Sequence, residues 1–179
     1  MTVNPSLDTS SLDYPSGPTI IEAIKQARIE FIVSVPDIVT SDGLLWPISK
    51  DPDLKLVRVC KEDEGVSICG AMSYNETRAM LLMQQTGLMD SLNSIRAIGM
   101  DYQLPICMMV GLQGKEPHLK SNESGAYGVR IIEPILKTME IPYRSIESSD
   151  DLQHIEADID QAYKTSSCFV FLIGRSPTV

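Results

Sequence analysis

Lys61-Glu62-Asp63-Glu64-Gly65-Val66-Ser67-Ile68-Cys69-Gly70-Ala71 follows directly on the apolar run from Leu54 to Cys60. That run, with Leu56, Val57 and Val59, has the aliphatic and β-branched content of a short strand. The acids after it suit the first turn of a helix, where the macrodipole favours negative charge. Gly65, Ser67, Gly70 and Ala71 give this helix, which the spacing extends to about Tyr74, a small-residue face that another backbone or a flat ring can approach. A strand that passes into a helix within one turn is the repeating unit of α/β proteins.

The alternation extends in both directions. Upstream, Pro18 and Thr19 start a helix with Ile20, Ile21, Ala23, Ile24 and Ala27 on its apolar side. Phe31 to Val35 is a buried strand ended by Pro36, and residues 41–50 form a helix or turn around Leu44, Leu45 and Trp46. Downstream, strands are expected at 79–84, 105–110, 143–146 and 168–173. Helices are expected at about 89–100, at 127–139 (with Pro134 tolerated or kinking it) and from a cap at Ser148 or Ser149 through Tyr163. Short apolar strands alternating with helices predict a six-stranded parallel sheet covered on both faces, a three-layer α/β sandwich of flavodoxin-like type. Residues 1–17 read as an amino-terminal arm and 18–179 as one domain.

The chain has 179 residues, 43% hydrophobic and 22% charged, with a formal net charge of -9. That balance argues against nucleic acid and against an anionic membrane surface as partners, since both need a basic face. No apolar run approaches the ~20 residues that span a bilayer, and the polar start, with Pro5 and Pro15, does not read as a signal peptide. The four cysteines form no CxxC pair and lie in or beside apolar runs, which predicts buried, reduced thiols and a cytoplasmic setting.

In parallel α/β folds, ligands gather beyond the carboxyl ends of the strands. This edge holds Pro36-Asp37, Lys61 to Glu64, Gln84 to Gly87 and the polar loop Gly111 to Gly125. Each has a plain reading and a functional one. Glu62, Asp63 and Glu64 decorate a helix start, or one of them meets a ligand. Asp37 caps the following segment, or handles a proton. The turn at 84–87 is structural, or offers amide and hydroxyl donors with Gly87 permitting close approach. His118, with Gln113, Lys115 and Lys120 in the same loop, is solvated or meets an anionic substrate. His154 looks solvent-facing, and two separated histidines give no histidine metal site or serine triad.

The order of strand, glutamate and small-residue helix resembles the pyrimidine-binding domain of thiamine-diphosphate decarboxylases, and in particular the sulfopyruvate decarboxylase alpha subunits and phosphonopyruvate decarboxylases. Those proteins have a run similar to Arg-Glu-Glu-Glu-Gly where this chain has Lys61-Glu62-Asp63-Glu64-Gly65. They have Met-Gln-Asn-Ser-Gly-Leu-Gly-Asn where it has Met83-Gln84-Gln85-Thr86-Gly87-Leu88-Met89-Asp90. Phe31 to Asp37 resembles their first strand and turn. The likeness covers about residues 18–175.

The resemblance implies that Glu62, with Glu64 as the alternative, hydrogen-bonds a ring nitrogen of the cofactor's aminopyrimidine and shares a proton with it. Glu62 is preferred because Ala71, nine residues on, stands where the family has glycine. Pro36, Gln85, Thr86, Gly87 and Leu88 are the further cofactor contacts it implies, Asp37 a second catalytic acid, and Gln113 and His118 the substrate side. Met89 and Asp90 depart from the family's Gly and Asn. No Gly-Asp-Gly occurs, and Ser41-Asp42-Gly43 is a poor substitute. The resemblance therefore implies a split enzyme. A second subunit would hold the diphosphate and Mg²⁺ in a heterotetramer or larger assembly acting on a small anionic 2-oxo acid, with no metal ligand in this chain. A carboligase subunit of the same chemistry and a non-catalytic flavodoxin-like module are the alternatives.

Overall fold

The computed structural model describes residues 13–179. Of the expected arm, residues 1–12 lie outside the described part. Its end runs beside the carboxyl-terminal tail: Gly17 N donates to Thr178 O and Thr178 N to Pro15 O, both at 2.9 Å.

Helix α1 (Gly17–Gln26) is capped by Ser16 and leads to β1 (Phe31–Ser34). A π-helical turn at Ser41–Leu45 opens α2 (Trp46–Ile48), and β2 (Lys55–Arg58) passes into α3 (Glu62–Tyr74). Strand β3 (Ala79–Gln84) runs straight into α4 (Gln85–Asp90), followed by α5 (Leu92–Ser94) and a π-helical stretch, Ile95–Asp101. Then come β4 (Cys107–Gly111), α6 (Tyr127–Arg130), α7 (Ile132–Thr138), β5 (Tyr143–Ile146), α8 (Ile155–Lys164) and β6 (Phe169–Ile173).

The six strands form one sheet in the order β2-β1-β3-β4-β6-β5, every pair parallel. Alternate residues divide its two faces. Ile32, Met80, Leu82, Met109 and Phe171 pack under α1, α2 and α8, whereas Val33, Leu81, Met83, Met108 and Val170 pack with Val66 and Cys69 of α3 and Leu136 of α7. The central strands are buried on both faces, which is why they read as unbroken apolar runs; β2 lies at the edge and stays half-exposed. The chain leaves β1 toward β2 and returns to its other side for β3, so the carboxyl ends of β1 and β3 bound a topological switch point.

Three helices differ from the sequence expectation. The one expected at 89–100 begins at Gln85, because β3 turns directly into it, and breaks at Ser91, whose amide is shared between the carbonyls of Gly87 and Leu88. The one expected at 127–139 is two helices. Pro134 cannot donate to the carbonyl of Arg130, and α6 ends there. The last opens as a 3-10 turn at Ser149–His154, with Asp151 accepting from the amides of Glu147 and Ser148 at 2.9 Å. The thiol expectation also needs correcting at one position. Cys69, Cys107 and Cys168 are buried, but Cys60, at the exit of edge strand β2, is exposed. No helix among the described residues is long and apolar enough to cross a membrane.

Candidate active site at the carboxyl edge

Three contacts stitch the carboxyl-edge segments together. The first joins Glu62 to Gly87. Glu62 is the first residue of α3, half-buried, and its side chain lies on the bare backbone of Gly87 in α4. A Cβ at position 87 would overlap Cγ, Cδ and Oε1 of Glu62. The two motifs separated by about a quarter-century of residues in the chain thus meet through a glycine that leaves the glutamate room. Among the described residues the Glu62 carboxylate makes no hydrogen bond.

Its neighbour Glu64 has a different place. Its Oε2 accepts from the amides of Cys60 (3.1 Å) and Lys61 (3.3 Å), closing the reciprocal half of a capping box. Asp63 accepts from the Glu64 amide at 3.0 Å. Of the three consecutive acids, two serve the helix start and one is left over.

The second contact joins the β1 turn to β4. Asp37 is buried, and its Oδ1 accepts from Val39 N (2.7 Å) and Thr40 N (3.0 Å), while Oδ2 accepts from the Thr40 hydroxyl. A Cβ on Gly111 would stand 2.7 Å from Oδ1, so the close fit of this turn against β4 requires glycine. Pro36 and Ile38 on the same turn are exposed.

The third contact joins β3 to the polar loop. Gln85 is 5% exposed. Its Oε1 accepts from Gln113 N and its Nε2 donates to Gln113 O, both at 2.9 Å, so one side-chain amide holds both backbone polar groups of one residue. Gln84 Nε2 donates to the Gln113 side chain. Thr86 is exposed and Leu88 buried.

The loop behind Gln113 is held from inside. The Lys115 side chain is wholly covered; its Nζ donates to Leu119 O (2.7 Å) and Glu116 O (3.3 Å) and pairs with Glu147 Oε2 at 3.0 Å. Arg175 donates to Pro117 O and Glu147 O. The hydrogen bond from the Ser124 hydroxyl, with lesser help from the amides of Glu116 itself and Gly125, holds the Glu116 carboxyl below its usual range. This fastening leaves His118 and Lys120 exposed at the rim. Lys115, grouped with those cations in the sequence, faces inward instead. Met89 reaches toward Gly128 of α6, and Asp90 pairs loosely with Lys61 at 3.6 Å.

Sequence reading did not find the Gln85–Gln113 clamp, the internal Lys115 or Arg175. The one available signal was the adjacent pair Gln84-Gln85 at the end of an apolar strand, where a strand's alternation must bury one amide and so demand a partner for it.

The chain is thus a parallel α/β protein with an unengaged carboxylate beside its switch point, the edge where ligands gather in such folds. No family model matches the chain. Among curated proteins it is similar to the sulfopyruvate decarboxylase subunit alpha of Methanothermobacter thermautotrophicus, 31% identical over 163 residues, covering 90% of this chain and 96% of that one. It is 27% identical to the subunit of the same name from Methanococcus maripaludis, over 79% of this chain and 83% of the relative. A protein named sulfopyruvate decarboxylase from Methanosarcina acetivorans matches 87% of this chain but only 39% of its own length, at 27% identity. The chain belongs to the family of sulfopyruvate decarboxylase alpha subunits.

Proposed function

We propose that this chain is the subunit of a thiamine-diphosphate-dependent 2-oxo acid decarboxylase that holds the pyrimidine side of the cofactor, with Glu62 as the proton-sharing acid. The observation that supports this most is the Glu62 carboxylate laid against Gly87 with no hydrogen-bond partner among the described residues, while Glu64 and Asp37 are both committed to their own turns. A partly covered carboxylate with free lone pairs beside a bare backbone fits an aminopyrimidine ring.

When bound, thiamine diphosphate supplies the electron sink that lets carbon dioxide leave a 2-oxo acid. Glu62 Oε would hold a proton against a ring nitrogen, and Gly87 lets that carboxylate lie flush with α4. Thr86 offers a hydroxyl at the same helix start, with Leu88 beneath and Pro36 across the switch point. Asp37 fixes the β1 turn beside the pocket and stands as the second acid at this edge. Gln113 and His118 stand on the loop rim, where amide and imidazole donors suit a small anionic acid such as sulfopyruvate.

The second subunit, in a heterotetramer or larger cytoplasmic assembly, would hold the diphosphate and Mg²⁺. Two relatives named subunit alpha are matched over 83% and 96% of their length, whereas the one named for the decarboxylase without a subunit is matched over 39% of its length. That difference supports a split enzyme, because the longer chain has room for a second domain.

The test is Glu62→Gln, co-produced with a partner subunit and assayed for carbon dioxide release from sulfopyruvate. Turnover is expected to fall about a thousandfold or more, with assembly and melting temperature kept. Near-normal turnover removes Glu62 from the mechanism.

A further inference from the structure

The Gln85 side chain points away from a ligand-binding task. It sits on the segment assigned to the cofactor, yet both of its polar atoms are used on the backbone of Gln113, in the loop assigned to the substrate. We infer that Gln85 is a positioning residue: its amide couples the cofactor-side turn, Gln85 to Leu88, to the substrate loop and sets the rim that receives the 2-oxo acid. This rests on the reading of the site proposed above.

Three features separate this clamp from an incidental contact. The Gln85 end is buried, so its amide, once parted from Gln113, would be left without a ready replacement partner. The clamp is two-sided, so it fixes the orientation of the Gln113 backbone as well as its distance. It also stands at the one end of the loop that Lys115 and Glu116 do not reach, since their partners are Glu116 O, Leu119 O and Glu147 for the one and Ser124 and Gly125 for the other. Without Gln85 the loop keeps its far anchorage, and the Gln113 backbone is released while its side chain keeps only the bond from Gln84.

The chemistry allows a discriminating substitution. In Gln85→Glu an ionised carboxylate still accepts from Gln113 N but faces Gln113 O with a second oxygen. Protonated, it regains a donor there, and burial favours that form.

The experiment uses the assembly with its partner subunit, with KM for sulfopyruvate and half-saturation by thiamine diphosphate measured for the parent, Gln85→Ala and Gln85→Glu. Gln85→Ala should raise KM roughly tenfold with cofactor half-saturation unchanged. The KM of Gln85→Glu, relative to the parent, should fall back as the pH is lowered from about 8 to about 6. Hydrogen exchange at the Gln113 amide, which needs no activity, should be slow in the parent chain and faster in Gln85→Ala. An unchanged exchange rate refutes the clamp. Faster exchange with unchanged KM, a shift in cofactor half-saturation instead, or no recovery of Gln85→Glu at low pH each refutes the coupling. A parent assembly that shows no decarboxylation defeats the functional reading and the coupling built on it, while the exchange data still judge the clamp by itself. Should Gln85→Ala fail to fold, Gln85→Glu decides through its pH dependence.

Discussion

Replacing Gly87 by alanine separates folding from function at a single methyl group. The backbone at 87 is ordinary helix, so alanine is conformationally welcome and gains up to about 1 kcal/mol over glycine. The new Cβ would overlap Cγ, Cδ and Oε1 of Glu62. To restore the ~3.5 Å separation of non-bonded carbons, the glutamate must retreat by on the order of 1 Å. Glu62 is half-buried and makes no hydrogen bond among the described residues, so the retreat is easy; an off-rotamer side chain costs about 0.5–1.5 kcal/mol. The two terms nearly cancel, and Gly87→Ala should melt within about 1 kcal/mol of the parent in urea. A displacement of about 1 Å in a proton-sharing group should nonetheless lower turnover about a hundredfold. The assays are equilibrium unfolding of the chain and carbon dioxide release by the assembled enzyme. Parent-like turnover refutes the placement of Glu62 over position 87 as the catalytic contact. Destabilisation well beyond 2 kcal/mol shows the glutamate to be packed more rigidly than argued.

Other outcomes follow from the same edge. Asp37→Ala should lose about 1–2 kcal/mol because three local donors go unanswered; Asp37→Asn keeps the Oδ1 acceptor and should retain most turnover, and its inactivation would restore Asp37 as a proton carrier. Lys115→Met strands Glu147 and removes the loop's internal anchor, so unfolding free energy should drop by about 3 kcal/mol and proteolysis should open the 112–125 loop first. Burial pushes the Cys69 thiol up to about 12 and Cys168 up to about 11, and raises Cys107 as well. Only Cys60 should therefore take up an alkylating probe in native protein at pH 8, and all four on unfolding. The unfolded chain gives up thiol protons that the native chain keeps. Stability should thus fall as pH rises above about 9, by up to about 1.4 kcal/mol per pH unit for each buried thiol, as urea midpoints would show.

The sheet was legible because its central strands are buried on both faces and leave uninterrupted signals such as Ala79 to Gln84. Glu62 and Gly87 were each legible as candidates, but their contact was not: a glycine announces only that something comes close, never what. Pro134 had marked an interruption in the helix expected at 127–139, although not its place at Ile131; the break at Ser91 escaped for a different reason. Periodicity survives a local change of pitch, so the pattern of Leu88, Ile95, Ile132 and Leu136 reads as continuous even where the hydrogen-bond ladder is interrupted. Lys115 was misjudged because charge predicts exposure by default; its burial depends on carbonyls of its own loop and on Glu147, distant in sequence.

The seat of Glu62 on α4 ties the fates of two codons. A longer residue at 87 pushes the carboxylate back and a shorter acid at 62 withdraws it, so relieving the overlap does not restore the reach. Glutamate at 62 and glycine at 87 should therefore be inherited as a unit among descendants that keep the chemistry.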